Sequence, residues 1–260
     1  MPMKKLSIFV CLLCLFVAVP ALADPYGTVD VTYQGYDPKW NVTLNTYQDT
    51  YDPVSYYTVS GMVTLDLLNV SSVNPSWEPY LTGTVEAFCL DLGDYSANVG
   101  VKVNYDVASL DSTPDPWAGP MGETRARYLA QLLDKYWNSD LDTDIEKAAL
   151  QLAIWEVVDE SRLTQDDPMT VGLNVKIGMF TVDETVATTD LLNLANVMLD
   201  SITTGGSDYS SYVGLTNDYY VPATGTGKYQ DWVVKVPVPA AVWLGILGLG
   251  AAGLKLRRFA

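Results

Sequence analysis

The chain contains no histidine. That absence removes the imidazole base of Ser-His-Asp and Cys-His hydrolases and takes away the commonest zinc ligand. Cysteine is nearly as scarce: Cys11 and Cys14 sit in an apolar run at the N-terminus, and Cys89 stands alone in the remainder. A solitary thiol makes no internal disulfide, so the fold is not stapled. Basic residues are the third shortage. All 31 acidic residues but only 10 of the 15 basic ones fall in residues 24–235, which leaves that stretch at a formal charge of −21. Such a surface repels nucleic acid and anionic lipid, and no nucleic-acid partner is expected. Carboxylate pairs, as in glycosidases, are the acid–base chemistry that survives, and no spacing singles one out. No cofactor and no turnover enzyme are expected.

The two ends carry the long hydrophobic runs. Lys4 and Lys5 precede an apolar stretch from Leu6 to Val19, and Ala21-Leu22-Ala23 puts small residues where a signal peptidase reads them. The stretch is shorter than the ~20 residues of a spanning helix, so residues 1–23 are expected to be a signal peptide, cleaved after Ala23 together with Cys11 and Cys14. At the other end, Val236 to Leu254 is uncharged and is followed by Lys255, Arg257 and Arg258. That is long enough to cross the inner membrane, with the basic end held in the cytoplasm as a stop and the body on the far side. The order Val236-Pro237-Val238-Pro239-Ala240-Ala241, then a Gly/Leu-rich helix, then the basic cluster resembles the PEP-CTERM sorting signals of Gram-negative bacteria, in their VPLPA-type form. The resemblance covers residues 236–260. It implies recognition by an exosortase-type processing enzyme, cleavage near the motif, and delivery to the cell surface or extracellular matrix. An uncut anchor is the alternative.

Residues 24–235 suffice for one large domain with a real core. From Tyr26 to about Tyr105, Tyr, Val and Thr alternate in stretches such as Thr28 to Thr32 and Thr58 to Leu65, broken by Asp-Pro and Asn-Pro turns, and Gly83 to Leu92 continues the pattern. These predict antiparallel strands. Helical spacing follows in Glu123 to Trp137. A second helix is predicted from Thr143, where Glu146 completes a capping box, to about Val158. Gly172-Leu173-Asn174 suggests a hairpin within Met169 to Val182, and a third helix is predicted from Thr189 to Ser201 with Gly205 ending it. The expected fold is α+β, an antiparallel β-sandwich or barrel with an inserted helical subdomain.

Two short motifs carry the chemistry. Phe88-Cys89-Leu90 is followed about sixty residues later by Leu150-Gln151-Leu152-Ala153-Ile154-Trp155. The pair resembles the two signatures of bacterial thioester domains, found in surface adhesins: an aromatic or apolar residue, Cys, an apolar residue; and an apolar residue, Gln, two variable positions, an apolar residue, Trp. The resemblance spans Gly83 to Glu156. It implies an intramolecular thioester between Cys89 and Gln151 that an amine on a nearby surface or polymer later opens, a binding act made permanent by chemistry. Ile154 and Trp155 border the face of Gln151 on its helix and, with Phe88, are expected to shield the bond from water. Lys147, one turn before Gln151, is expected to favour the thiolate.

Asp140, Asp142 and Asp144 have the alternate spacing of a calcium loop, but Ile145 and Gln151 stand where its Gly and Glu belong, and the acids are read as helix-capping groups. No metal site is expected. The plentiful Tyr and Trp are read mainly as core and cross-strand pairs, with a glycan-binding face as the alternative. The rival to covalent capture is therefore a non-covalent structural or glycan-associated matrix protein.

Overall fold

Apolar and polar residues alternate where the first strands form. On β1 (Gly27–Tyr36) Val29, Val31 and Tyr33 are buried between half-exposed Thr28, Asp30 and Thr32; on β4 (Val63–Ser71) Val63, Leu65 and Leu67 are buried likewise. Period-two patterns of this kind suit a sheet with one face on a core and the other on water. The computed structural model describes residues 26–36, 40–47, 53–71, 73–75, 77–92, 96–115, 119–137, 141–160, 167–217 and 229–236. The expected signal peptide, Asp140, and the sorting tail from residue 237 on, with Pro237, Pro239, Ala240, Ala241, Lys255, Arg257 and Arg258, lie outside the described residues.

The protein is α+β. β1 and β4 join β5 (Gly83–Cys89), β6 (Lys102–Ser109), β10 (Tyr212–Thr216) and β11 (Trp232–Lys235) in a closed barrel of order β1-β4-β5-β11-β10-β6, antiparallel throughout. Closure removes the exposed edges an open sheet would present. β2 (Trp40–Tyr47), β3 (Pro53–Ser60) and β9 (Phe180–Val182) form a separate sheet of order β3-β2-β9, and β7 (Pro114–Asp115) pairs with β8 (Gly119–Pro120). Between β6 and β10 the chain forms α1 (Gly122–Tyr136), α2 (Asp144–Asp159), α3 (Pro168–Val171) and α4 (Thr189–Leu199).

α2 is the centre of the helical layer. It packs against α1, α4, β2, β3, β5 and β9, and every residue from Ala148 to Asp159 is buried. A helix covered on all sides needs no polar stripe, which is why its sequence reads as almost continuously apolar after Lys147. Its start is the capping box expected: the Thr143 hydroxyl accepts from the Glu146 N–H, and a Glu146 carboxylate oxygen accepts from the Thr143 N–H at 2.9 Å. The barrel wall facing the helices is joined to α1 by aromatic packing, with Trp137 edge-on to Phe88 at 5.1 Å and stacked on Tyr212 at 6.1 Å.

Three expectations need correction. The stretch Thr58 to Leu65 is two strands, because the chain turns at Gly61-Met62 and passes from the β3 sheet into the barrel. Gly172-Leu173-Asn174 makes no hairpin: Pro at the first position of α3 favours a short helix, and the strand that follows pairs with distant β2. α4 ends at Leu199 with Asp200 as its cap, so Gly205 lies in the next turn. Of the two architectures expected, the barrel is the one that forms.

The outer face of the barrel is held by polar ladders. Asp30 on β1 accepts from Asn69 of β4 at 2.7 Å and from Lys102 and Asn104 of β6 at 2.9 and 3.0 Å. These bonds, Asn69 foremost and then Lys102 and Asn104, hold its carboxyl down at about 2. A depressed folded value means a contribution complete above the unfolded value of 3.8 and lost as pH falls toward 2. Acid unfolding of Asp30→Asn is accordingly expected to show a shallower loss of stability between about pH 4 and pH 2 than the parent, measured by urea titration at each pH.

Candidate functional site

The register of β4 on β5 decides what happens at Cys89. Pairing runs from Leu67 opposite Gly83 to Val63 opposite Ala87, and two residues further would set Gly61 against Cys89. The turn at Gly61-Met62 takes the chain away instead, so no strand reaches that position. Cys89 N–H and C=O both point to this vacated edge, since Leu90 and Trp232 occupy the other: the Leu90 N–H donates to Asp231 O at 2.9 Å, and Trp232 is the β11 partner of Cys89.

Gln151 fills the gap. Its Oε1 accepts from the Cys89 N–H at 2.8 Å, and its Nε2 donates to the Cys89 carbonyl at 2.8 Å. The carboxamide thus does for one residue what a neighbouring strand would do, and this two-way pairing fixes which end is oxygen. Both residues are fully buried. Nearby, the Ser60 hydroxyl donates to Ala148 O at 2.7 Å and ties the end of β3 to α2. A carboxamide bonded to both backbone groups of one residue lies alongside its Cα, and the Cys89 sulfur is two covalent bonds from that atom.

The thiol donates to the carbonyl oxygen of Asp91 at 2.7 Å. Burial pushes the Cys89 thiol well up, and the negative charge of Asp91 adds to the effect, with a smaller addition from Asp159. The opposing side chain is Trp155, whose indole lies close enough to the sulfur to favour the thiolate. In the resting thiol state, however, the geometry of that contact falls short of a hydrogen bond, and the buried Trp155 N–H has no partner among the described residues. Lys147 does not supply the expected field. It lies in a surface hollow with Glu86 and Asp142, while the charges felt by the sulfur belong to acids. Phe88, Ile154 and Trp155, the expected shield, are each fully buried.

Sequence reasoning missed the polar groups around this pair. The Asp91 carbonyl also accepts from Gln230 Nε2 at 3.2 Å, its carboxylate accepts from the Asp231 N–H at 2.9 Å, and Gln230 Oε1 accepts from Ser96 at 2.7 Å. The available signal was position: Asp91 is two residues from Cys89. A second unforeseen group lies along α2. Glu156 accepts from the Asn174 N–H at 2.6 Å, and Glu160 accepts from the N–H groups of Met179 and Phe180 at 2.8 and 3.2 Å. Gly178 lets that segment approach, since a Cβ there would run into the Glu160 carboxylate. Arg125, also buried, donates to the Glu160 carbonyl at 3.2 Å. Burial, reinforced by Glu160 and Asp159, raises the Glu156 carboxyl to about 9 against the pull of the Asn174 N–H, so it is neutral at pH 7.

Of the expected sorting residues only Val236 is described. It is fully buried, and its N–H donates to Ser211 O at 2.8 Å, continuing the barrel one residue past β11. Among the described residues no cluster of three or more acidic or cysteine side chains is placed to hold a metal ion, and no helix is long and apolar enough to cross a membrane. Comparison with known proteins found nothing similar: no family model, no curated protein and no solved structure matches this chain.

Two measurements follow from this geometry. Gln151→Ala strands a buried N–H and a buried C=O at Cys89, and each unmade bond costs about 1–3 kcal/mol, so equilibrium urea unfolding is expected to show a loss of at least about 2 kcal/mol. Glu156, with a folded value near 9 above an unfolded value of 4.5, is a group whose unfolded form loses its proton first. Stability should therefore fall as pH rises through that window, on the order of 1.4 kcal/mol per pH unit, and Glu156→Gln, which keeps an acceptor for Asn174, should flatten the slope.

Proposed function

We propose that this protein is an exported surface or matrix protein that closes an internal thioester between Cys89 and Gln151 and spends it on covalent attachment to an amine-bearing surface or polymer. The observation that carries the reading is the hydrogen bond from the Cys89 N–H to Gln151 Oε1 at 2.8 Å. It polarises the same carbonyl that the neighbouring sulfur would attack, as a backbone donor does in an oxyanion hole. The chemistry balances without outside help. Sγ bonds to the Gln151 carboxamide carbon, the C–N bond breaks, and the thiol proton leaves on nitrogen as ammonia. Burial keeps the thiol protonated at rest, so Cys89 itself carries the proton that the departing ammonia takes, and the attack works against its raised pKa. The Trp155 N–H, buried and without a hydrogen-bond partner among the described residues, is available to negative charge that builds on sulfur as the proton leaves.

Complete burial supports the second half of the reading. An acyl-sulfur bond at the fully buried Cys89, with Trp155 beside the sulfur, is kept from hydrolysis, and an amine meets it only by a controlled approach. This is a single-use reaction with no turnover. Export and anchoring are proposed from the terminal segments alone: a signal peptidase removes residues 1–23, and an exosortase-type enzyme acts on the tail that begins at Val236, in a Gram-negative cell envelope.

The second reading keeps the same resting geometry and omits the bond. Because Gln151 satisfies both backbone groups of Cys89, it has a structural role in its own right, and the protein is then a non-covalent or glycan-associated matrix scaffold. Intact mass separates the two. Freshly purified protein is expected to be lighter by one ammonia than its sequence requires, and methylamine should add its own mass and expose one titratable thiol. Cys89→Ala and Gln151→Ala should both show full mass. A parent chain of full mass, with a thiol that titrates on unfolding without methylamine, overturns the covalent reading.

A further inference from the structure

Two surface hollows share a wall. One, of ≈ 350 Å³, is lined by Tyr80, Thr82, Thr84, Glu86, Trp137 and Lys235 among others. The other, of ≈ 260 Å³, is lined by Met62, Glu86, Trp137, Leu141, Asp142 and Lys147. Glu86 and Trp137 belong to both, so the hollows form one trough in two compartments. The smaller compartment lies one step outside the Cys89–Gln151 contact on each side: Lys147 is one helical turn before Gln151, Met62 follows the glycine that would have faced Cys89, and Trp137 packs edge-on against Phe88.

The geometry points to this trough as the binding site of an amino-sugar polysaccharide, laid across Trp137 and Tyr80 with a free amine directed toward the Gln151 edge. This inference rests on the covalent reading for its final step and on the trough alone for recognition. The lining has the chemistry a sugar chain requires. Tyr80 is 48 % exposed and Trp137 is half-buried, which leaves aromatic surface for the apolar faces of sugar rings. Thr82 and Thr84 are exposed; their hydroxyls donate to Glu78 O and to the Asp66 carboxylate and keep oxygen lone pairs to accept from sugar hydroxyls, while Glu86 is an exposed carboxylate at the divide between compartments, placed for an ammonium group. The trough holds two carboxylates, Glu86 and Asp142, and two lysines, Lys147 and Lys235, so it does not select a purely anionic or purely cationic polymer. Its compartments, at ≈ 350 and ≈ 260 Å³, lie at the foot of the range of ligand sites and just below it, ~300–1,000 Å³, and two side by side suit consecutive small units better than a folded partner.

Recognition is tested apart from the bond by using the full chain with Cys89→Ala, which cannot form a thioester. Calorimetric titration with a glucosamine tetramer is expected to show reversible binding, weakened at least ten-fold by adding Tyr80→Ala or Glu86→Gln, both surface changes, and weakened similarly when the tetramer is N-acetylated. Absence of binding, or binding indifferent to both substitutions, overturns the inference. With Cys89 present, mass spectrometry of the same mixture should show the tetramer added to the protein. A methylamine adduct without tetramer binding would sink the trough and spare the thioester; reversible tetramer binding by a chain of full mass would do the reverse.

Discussion

A strand that stops two residues early is the constraint on which the rest of the molecule turns. β4 leaves the barrel's β5 edge at Val63, and the unpaired backbone of Cys89 has to find partners in the core, where an orphaned N–H or C=O is costly. A helix side chain supplies them. That demand draws α2 against β5 and fixes its rotation, since Gln151 can meet both groups of Cys89 only from one face. With the rotation set, Glu156 and Glu160 face the 174–180 segment and Trp155 faces the sulfur. The position of the helix, the seating of the β9 segment and the surroundings of the thiol follow from that early end of the β4–β5 pairing.

The same arrangement makes the surroundings of the thiol electrically unlike those of reactive cysteines. Reactive thiols generally sit beside cations or helix N-termini that lower their pKa. Here burial and Asp91 do the opposite, and Gln151 lies in the middle of its helix. A thiol of this kind is a poor nucleophile toward any reagent in solution. It is suited only to a partner already in contact, where proximity replaces thiolate character as the source of rate. The neutral Glu156 and the paired Glu160 belong to the same economy of charge: in a helix buried on all faces, carboxyls persist either protonated or satisfied by backbone N–H groups.

Much of this was legible in the sequence, and the remainder was hidden for identifiable reasons. The capping box at Thr143 and Glu146 is local and read correctly, as were the strand of Cys89 and the α+β class. Residues 58–65 misled because alternation continues in step through Gly61-Met62, and period-two patterning carries no information about which sheet a strand joins. Lys147 misled because helical spacing gives proximity along a helix and not the direction of a side chain relative to a distant sulfur. The Cys89–Gln151 contact was suggested by motif alone; that it is mediated by backbone hydrogen bonds depended on a strand register that no local pattern encodes. Gln230 escaped notice because it comes from a remote part of the chain, and Asp91, two residues from Cys89, because it meets the thiol through its backbone carbonyl, which no residue-type pattern marks.

Burial and access set the last requirement. Where β3 ends and β4 begins, Met62 lines a hollow with Lys147, and the Ser60 hydroxyl donates to Ala148 O across the seam with α2. Met62 there is a flexible, unbranched side chain, and Trp137, which lines the same hollow, is packed against Phe88 and Tyr212. The turn that deprived Cys89 of its strand partner also lines the neighbouring hollow, through Met62. One feature of chain topology accounts both for the glutamine bonded to Cys89 and for one wall of the hollow beside it.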